Sequence, residues 1–99
     1  MTLVRQPRII EPVAQFRRDF KREKKGRHRA TLDGDLAVVL NALMVDLPLE
    51  PRHHDHALTG DWQDHRDCHV RPDLMLIYQK PDGDTLRLVR LGSHAELDL

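Results

Sequence analysis

The chain has 99 residues, enough for one domain that buries a core, and we expect residues 1–99 to form that single domain. Sixteen basic residues balance sixteen acidic ones, so the net charge identifies no partner, although ten Lys and Arg stand against three Asp and Glu between Arg5 and Arg29. The single Cys excludes an internal disulfide. No signal-peptide stretch and no run of about 18 apolar residues is present, so we expect a soluble, cytoplasmic protein with no membrane partner.

The first half of the chain predicts a short strand followed by two helices. Residues 8–11 are extended in character, and Pro12 predicts an edge or short strand because proline cannot donate to a ladder. From about Val13 to Lys25 the apolar residues follow helical spacing, and basic residues cover the other faces. A second helix is predicted from Leu32 to about Leu47, where six Leu and Val residues form a stripe, and Pro48 ends it.

The second half predicts a loop and a small sheet. Residues 48–64 contain two prolines and a glycine and are expected to form a long ordered loop. Strands are expected at about 65–71, 73–80 and 84–91, and the tail at 92–97 is expected to be a turn or a last short strand. The fold class is therefore α+β: a short N-terminal strand, a two-helix hairpin and then antiparallel strands, with the helices on one face of a small sheet.

Most of the side chains with catalytic potential lie between residues 53 and 78. This stretch holds five of the seven histidines, five aspartates and the only Trp, Cys and Tyr. Alternate residues of a strand point to the same face, so His65, Asp67 and His69 are expected to form one row. The intervening side chains, Cys68 and Val70, are expected to point into the core.

Three interpretations of the histidines remain open from the residues alone. In the first, most histidines are solvated and have no function. In the second they form a metal site, although the spacing is not diagnostic of zinc; the candidate ligands are His53, His54, Asp55, His56, His65 and His69. In the third they perform metal-free acid–base chemistry, in which one histidine takes a proton and another gives one, while Asp67 or Asp73 orients them.

RNA cleavage through its own 2′-hydroxyl would suit the third interpretation. The reaction needs a base for the hydroxyl, a cation for the charge that develops on phosphorus, and an acid for the leaving oxygen. Histidine and arginine side chains can supply all three. The basic helix could hold phosphates, although a solvated basic face is the alternative. The residues considered for RNA or ribosome binding are Arg17, Arg18, Lys21, Arg22, Lys24, Lys25, Arg66 and Arg90.

The chain resembles the YafQ branch of the RelE/ParE toxin superfamily. The resemblance covers nearly the whole chain and is carried by the motifs His56-Ala57-Leu58-x-Gly60-x-Trp62, Arg66-Asp67-Cys68-His69-Val70, Pro72-Asp73, Leu76-Ile77-Tyr78 and Gly92-Ser93-His94. It implies a small RelE-like α+β fold and a ribosome-dependent mRNA endoribonuclease of a type II toxin–antitoxin module. Such a toxin cuts mRNA in the A site of the 30S ribosomal subunit and uses no metal or other cofactor. A cognate antitoxin silences it in a heterotetramer or larger complex.

The resemblance also implies roles for individual residues. The implied catalytic set is His56, His69, Asp73 and His94, with Asp67 in support. His94 would be the general acid, and either His56 or His69 the base for the 2′-hydroxyl. The residues alone would not distinguish His56 or His94 from the other histidines.

Two departures from the family pattern concern aromatic residues. Leu74 and Asp98 stand where the family usually has an aromatic and a Phe. If those aromatics position the mRNA, this chain would cut weakly or with a different codon preference. The alternatives are an inactive homologue, a non-nucleolytic toxin like those of the ParE branch, or a His-rich metal-binding module.

Overall fold

A computed structural model describes residues 6–99 as a five-stranded mixed sheet with the two longer helices packed on one face. In chain order the elements are β1 (Ile9–Pro12), α1 (Ala14–Glu23), α2 (Leu32–Met44), β2 (His56–Ala57), β3 (Arg66–Arg71), β4 (Leu74–Gln79), β5 (Thr85–Gly92) and α3 (His94–Leu97). The strand order is β1-β5-β4-β3-β2, with β1 parallel to β5 and the other pairs antiparallel. The predicted α+β class and element order are confirmed.

Three predicted boundaries are wrong. The predicted loop at 48–64 contains β2, and 3₁₀ turns at Pro51–His53 and Gly60–Trp62 flank this strand. The tail forms α3 instead of a turn or a last short strand, because the Ser93 side chain and Glu96 cap its first turn reciprocally. α2 ends at Met44 instead of Leu47, since Asp46 adopts a left-handed backbone.

Tertiary ion pairs hold Asp46 in that position. Its carboxylate accepts from Arg8 Nε at 2.8 Å and from Lys80 Nζ at 2.7 Å. The backbone beyond α2 is thus tied to the strands, and the apolar stripe that extends to Leu47 in the sequence is interrupted. Leu47 is left exposed.

The sheet separates two apolar layers of unequal size. On one face the side chains of β3, β4 and β5 pack against α1 and α2. This larger core comprises Phe16, Leu32, Leu36, Val39, Leu43, Cys68, Val70, Leu74, Leu76, Tyr78, Leu86, Leu88 and Leu91. On the other face only Met75, Ile77 and Leu97 form a small buried cluster, with Leu58, Trp62 and Val89 around it. Because no long helix covers this second face among residues 6–99, polar side chains of β3 stay within reach of a ligand there.

Residues 6–99 include no helix that is both long enough and apolar enough to cross a bilayer.

Candidate active site

β3 places Asp67 and His69 on the face away from α1 and α2. Their partners on β4 are Ile77 and Met75, which belong to the small cluster on that face. Cys68 lies in the larger core with Val70. The alternation predicted for this strand is therefore confirmed.

His65 lies just before β3, opposite Leu58, whose backbone N–H donates to the His65 carbonyl oxygen at 2.9 Å. Asp64 has a left-handed backbone with φ of 69°, so the extended strand begins only at Arg66. The His65 ring packs edge-on against Trp62, which borders the small cluster on this face, with 5.4 Å between ring centroids. His65 therefore extends the face beyond the end of β3, and the strand predicted from about residue 65 begins one residue later.

His56 reaches this face from the neighbouring strand. β2 pairs with β3 so that His56 lies opposite Asp67, and 3.8 Å separates His56 Nε2 from Asp67 Oδ2. The other ring nitrogen, Nδ1, lies 2.6 Å from the carbonyl oxygen of His54. A carbonyl can only accept, so Nδ1 carries the proton and Nε2 of the neutral ring keeps a lone pair. The ring is thus arranged to take a proton at Nε2.

Asp67 is a buried carboxylate on the site face. It is only 4% exposed, and its Oδ1 atom has no hydrogen-bond partner. Burial raises the pKa of the Asp67 carboxyl, and the charges of His56, His69 and His94 offset this only in part. Ionised Asp67 is therefore held at a cost in stability, and an imidazolium beside it would reduce that cost.

His69 lies between two other histidine rings. Its centroid is 5.0 Å from that of His54 and 5.5 Å from that of His94. Burial lowers the pKa of His69, outweighing the opposite effect of Asp67, and the charges of neighbouring histidines act in the same direction as burial. Burial therefore favours the neutral form of the His69 ring. Buried His53 donates from Nδ1 to the His69 carbonyl oxygen at 2.6 Å, and this hydrogen bond holds the backbone of β3 at His69.

Asp73 and His94 form the second carboxylate–histidine pair. Asp73 lies in the turn between β3 and β4, and its Oδ1 accepts from His94 Nδ1 at 2.9 Å and from the His94 backbone N–H at 3.3 Å. These hydrogen bonds keep the pKa of the Asp73 carboxyl below its ordinary value. Because Nδ1 donates to Asp73, Nε2 is the ring atom available to a substrate.

α1 fixes the segment that carries His94. Asp19, fully buried, accepts from Arg90 Nε at 2.8 Å and from the Leu91 backbone N–H at 3.0 Å. Arg22 donates from Nη2 to the Leu91 carbonyl oxygen and forms a 2.8 Å ion pair with Glu96. The end of β5 and the first turn of α3 are therefore tied to one helix.

Four of the eight residues predicted to bind RNA or the ribosome form ion pairs within the protein, and a fifth, Arg18, donates to Gln15 at 2.8 Å. Arg22 and Arg90 belong to the network just described. Arg66 Nε lies 3.2 Å from Asp55 Oδ1 and 3.3 Å from the Tyr78 hydroxyl, on the helix side of the sheet. Lys24 pairs with Asp33 at 2.7 Å. The other four are exposed, on α1 or just beyond it: Arg17, Arg18, Lys21 and Lys25.

Position 74 is enclosed in the helix-side core. Leu74 has no exposed surface, so it has no contact with the histidine face, whereas Asp98 is exposed at the end of α3. The loss of the family aromatic at position 74 changes core packing, and only position 98 lies where a ligand could reach it.

Two contacts at this site were missed from the sequence. His54, predicted only as a possible metal ligand, lies beside His69 with its ring tilted by 47°, and its backbone carbonyl accepts from His56. Arg27 forms a 2.8 Å ion pair with Asp73 across 46 residues of sequence, and no local pattern points to it.

Within residues 6–99, no three or more His, Cys, Asp or Glu side chains form a group that could hold a metal ion.

The site thus combines two carboxylate–histidine pairs on one sheet face, with the His69 ring beside them. The family model for the bacterial toxin YafQ of type II toxin–antitoxin systems matches residues 8–99. The chain belongs to the YafQ toxin family. The family resemblance identified from the motifs is confirmed.

Individual relatives and solved structures match over most of their length. The chain is 40% identical over 92 residues to the mRNA interferase toxin YafQ of Escherichia coli K12, which covers 91% of this chain and 95% of that protein. A chain of the E. coli DinJ–YafQ toxin–antitoxin complex superposes with a TM-score of 0.78 at 37% identity, covering 92% of this chain and 97% of that one. A copper-bound mutant toxin from Helicobacter pylori has the same TM-score at 35% identity, with 92% and 98% covered.

Proposed function

We propose that this YafQ-family chain is the toxin of a type II toxin–antitoxin module and cleaves mRNA on the ribosome. Cleavage proceeds by attack of a ribose 2′-hydroxyl on the adjacent phosphate. The observation that carries the proposal is the pairing of His56 with Asp67 and of His94 with Asp73 on the same open sheet face. Two imidazoles whose Nδ1 atoms are occupied present two Nε2 atoms for proton transfer.

His56 acts as the base. Its Nε2 lone pair takes the proton of the 2′-hydroxyl, and the 2′-oxygen forms a bond to phosphorus. Asp67 Oδ2, 3.8 Å away, then faces the imidazolium and balances its charge. His69 is the other candidate for the base. Its ring lies between the imidazoles of His54 and His94, whereas the His56 ring faces the Asp67 carboxylate, so His56 is the better placed of the two.

His94 acts as the acid. As the bond from phosphorus to the 5′-oxygen breaks, His94 Nε2–H donates a proton to that oxygen, and the negative Asp73 balances the charge of the imidazolium before the transfer. The products are a 2′,3′-cyclic phosphate and a free 5′-hydroxyl. His69 lies between His54 and His94 and donates a hydrogen bond to the phosphate oxygens as negative charge develops on them.

The exposed cations of α1 support binding to the ribosome. Arg17, Arg18, Lys21 and Lys25 project from one helix and its end, and such a group attracts the phosphates of ribosomal RNA. This binding would place the histidine face against mRNA in the A site. A chain acting on ribosomes works in the cytoplasm.

A cognate antitoxin would silence the toxin by covering the helices. An apolar groove of about 540 Å³ runs between α1 and α2, with Phe16, Phe20 and Leu40 among its walls and Arg17 and Lys21 at its rim. An antitoxin segment with apolar residues flanked by acidic ones complements this groove. Binding there would cover two of the cations proposed to contact the ribosome, in a heterotetramer or larger complex.

The test is induced expression in a bacterial host, comparing the wild type with His94→Ala and with His65→Ala as a matched histidine control. We expect growth arrest with in-frame cuts in translated messages for the wild type and the control, and neither effect for His94→Ala. Arrest without message cleavage would favour a ParE-like protein target. Undiminished toxicity of His94→Ala would remove His94 from the catalytic set.

A further inference from the structure

Arg27 contacts the proposed acid–base machinery from outside the sheet. It lies in the turn between α1 and α2, and its Nη2 donates to Asp73 Oδ2 at 2.8 Å. The other carboxylate oxygen, Oδ1, accepts both hydrogen bonds from His94. Each oxygen of Asp73 is therefore held by a different element.

We propose that Arg27 is a positioning residue for the general acid: it holds Asp73 Oδ2 so that Oδ1 stays directed at the His94 ring. This inference rests on the proposed function, since it concerns the same site. Arg27 acts through Asp73 and His94 and does not itself contact the reacting atoms.

The need for a second anchor follows from the exposure of Asp73. Its side chain is 45% exposed, and the torsion that turns an aspartate carboxylate is broad, so hydrogen bonds to one oxygen alone allow the group to swing. A guanidinium on the second oxygen stops that rotation. Because Arg27 itself is 67% exposed, the pair adds little to folding stability, and its consequence is the orientation of the imidazole.

The positive charge of Arg27 also favours the ionised form of Asp73. Hydrogen bonds from His94 are the main cause of the lowered pKa of Asp73, and the positive charge of Arg27 adds to the lowering. Asp73 therefore remains ionised, as a partner of an imidazolium must be. His94, from α3, and Arg27, from the turn before α2, contact Asp73 directly, and Arg22, Glu23, His28 and Glu96 line the same pocket.

The first experiment is single-turnover cleavage of mRNA on programmed ribosomes, with toxin concentration varied. Arg27→Gln should lower the plateau rate about tenfold while changing the half-saturating concentration less than about twofold, since the acid is misaligned and RNA binding is intact. Arg27→Lys, which keeps a donor and a charge, should recover most of the rate. Arg29→Gln removes the same charge from the same turn, where Arg29 is exposed, and should match the wild type.

A raised half-saturating concentration at an unchanged plateau would show that Arg27 binds RNA directly and would overturn the positioning role. A wild-type plateau for Arg27→Gln would also overturn it.

A second measurement is independent of nuclease activity. Titration of the Asp73 carboxyl by ¹³C NMR in the free toxin should give a higher pKa in Arg27→Gln than in the wild type and no change in Arg29→Gln. An identical Asp73 titration in all three proteins would refute the contact itself. A wild type that cuts no message would instead refute the proposed function, and the titration separates the two failures.

Discussion

Replacing Asp19 by alanine should destabilise the protein strongly, although Asp19 lies away from the histidines. Its side chain is fully buried and accepts from Arg90, Arg22, Gln15 and the Leu91 backbone N–H. Burial alone would raise the pKa of Asp19, but these hydrogen bonds outweigh it, and the net shift is downward. Asp19 is thus a satisfied buried charge, and its removal leaves its partners unsatisfied.

The magnitude follows from which partners are buried. Losing one member of a buried ion pair costs about 3–5 kcal/mol, and an orphaned buried N–H such as that of Leu91 costs about 1–3 kcal/mol. Arg90 is 23% exposed and Arg22 is 41% exposed, so water compensates for part of this loss. We expect Asp19→Ala to lower the free energy of unfolding by about 3 kcal/mol.

The assay is urea unfolding, performed in a His94→Ala background so that every variant can be expressed. Asp33→Ala is the control, because Asp33 is 70% exposed and its pair with Lys24 should contribute less than about 1 kcal/mol. Asp19→Asn, which keeps one acceptor oxygen, should lie between the parent and Asp19→Ala. A loss below 1 kcal/mol for Asp19→Ala would refute the reasoning.

The pH dependence of the same variant carries a definite sign. A carboxyl whose pKa is lowered by folding stabilises the native state above its ordinary pKa of 3.8, and this contribution is lost as the pH falls through the folded-state value. The stability difference between the parent and Asp19→Ala should therefore shrink in acid. A constant difference between pH 7 and pH 2 would contradict the depressed pKa.

Three further outcomes are expected. Asp67→Asn should stabilise the fold at pH 7 and slow message cleavage. Burial raises the pKa of Asp67, so the protonated carboxyl stabilises the native state fully below its ordinary pKa, and this contribution is lost as the pH rises through the pKa of the folded state. A lower unfolding free energy for this variant in urea would count against that account. Leu74→Ala should lower the free energy of unfolding by about 2–5 kcal/mol in the same measurement because Leu74 is fully buried. A smaller loss would mean that neighbouring side chains move to fill the cavity left by the truncation. Changing Arg17, Lys21 and Lys25 to Glu should weaken ribosome cosedimentation at low salt more than at high salt, and unchanged association at low salt would exclude them from the contact.

The sequence contained one signal that would have identified α3. Ser93 and Glu96 have the spacing of a capping box, and this box initiates the short helix. β2 had no comparable signal, because a two-residue strand is defined by its partner, and His56 pairs with Asp67 only once β3 is in place. The proposed base was therefore accessible from the family resemblance and not from local patterning.

Local periodicity by itself determined the α+β class, the two helices and the faces of β3, because the spacing of apolar residues within one element decides which side is buried. The family motifs determined the toxin family. Only the tertiary structure decided which charges meet: Asp19 with Arg90, and Asp73 with Arg27. These pairs join residues 71 and 46 positions apart, and such contacts depend on how whole elements pack, which no short stretch of sequence encodes.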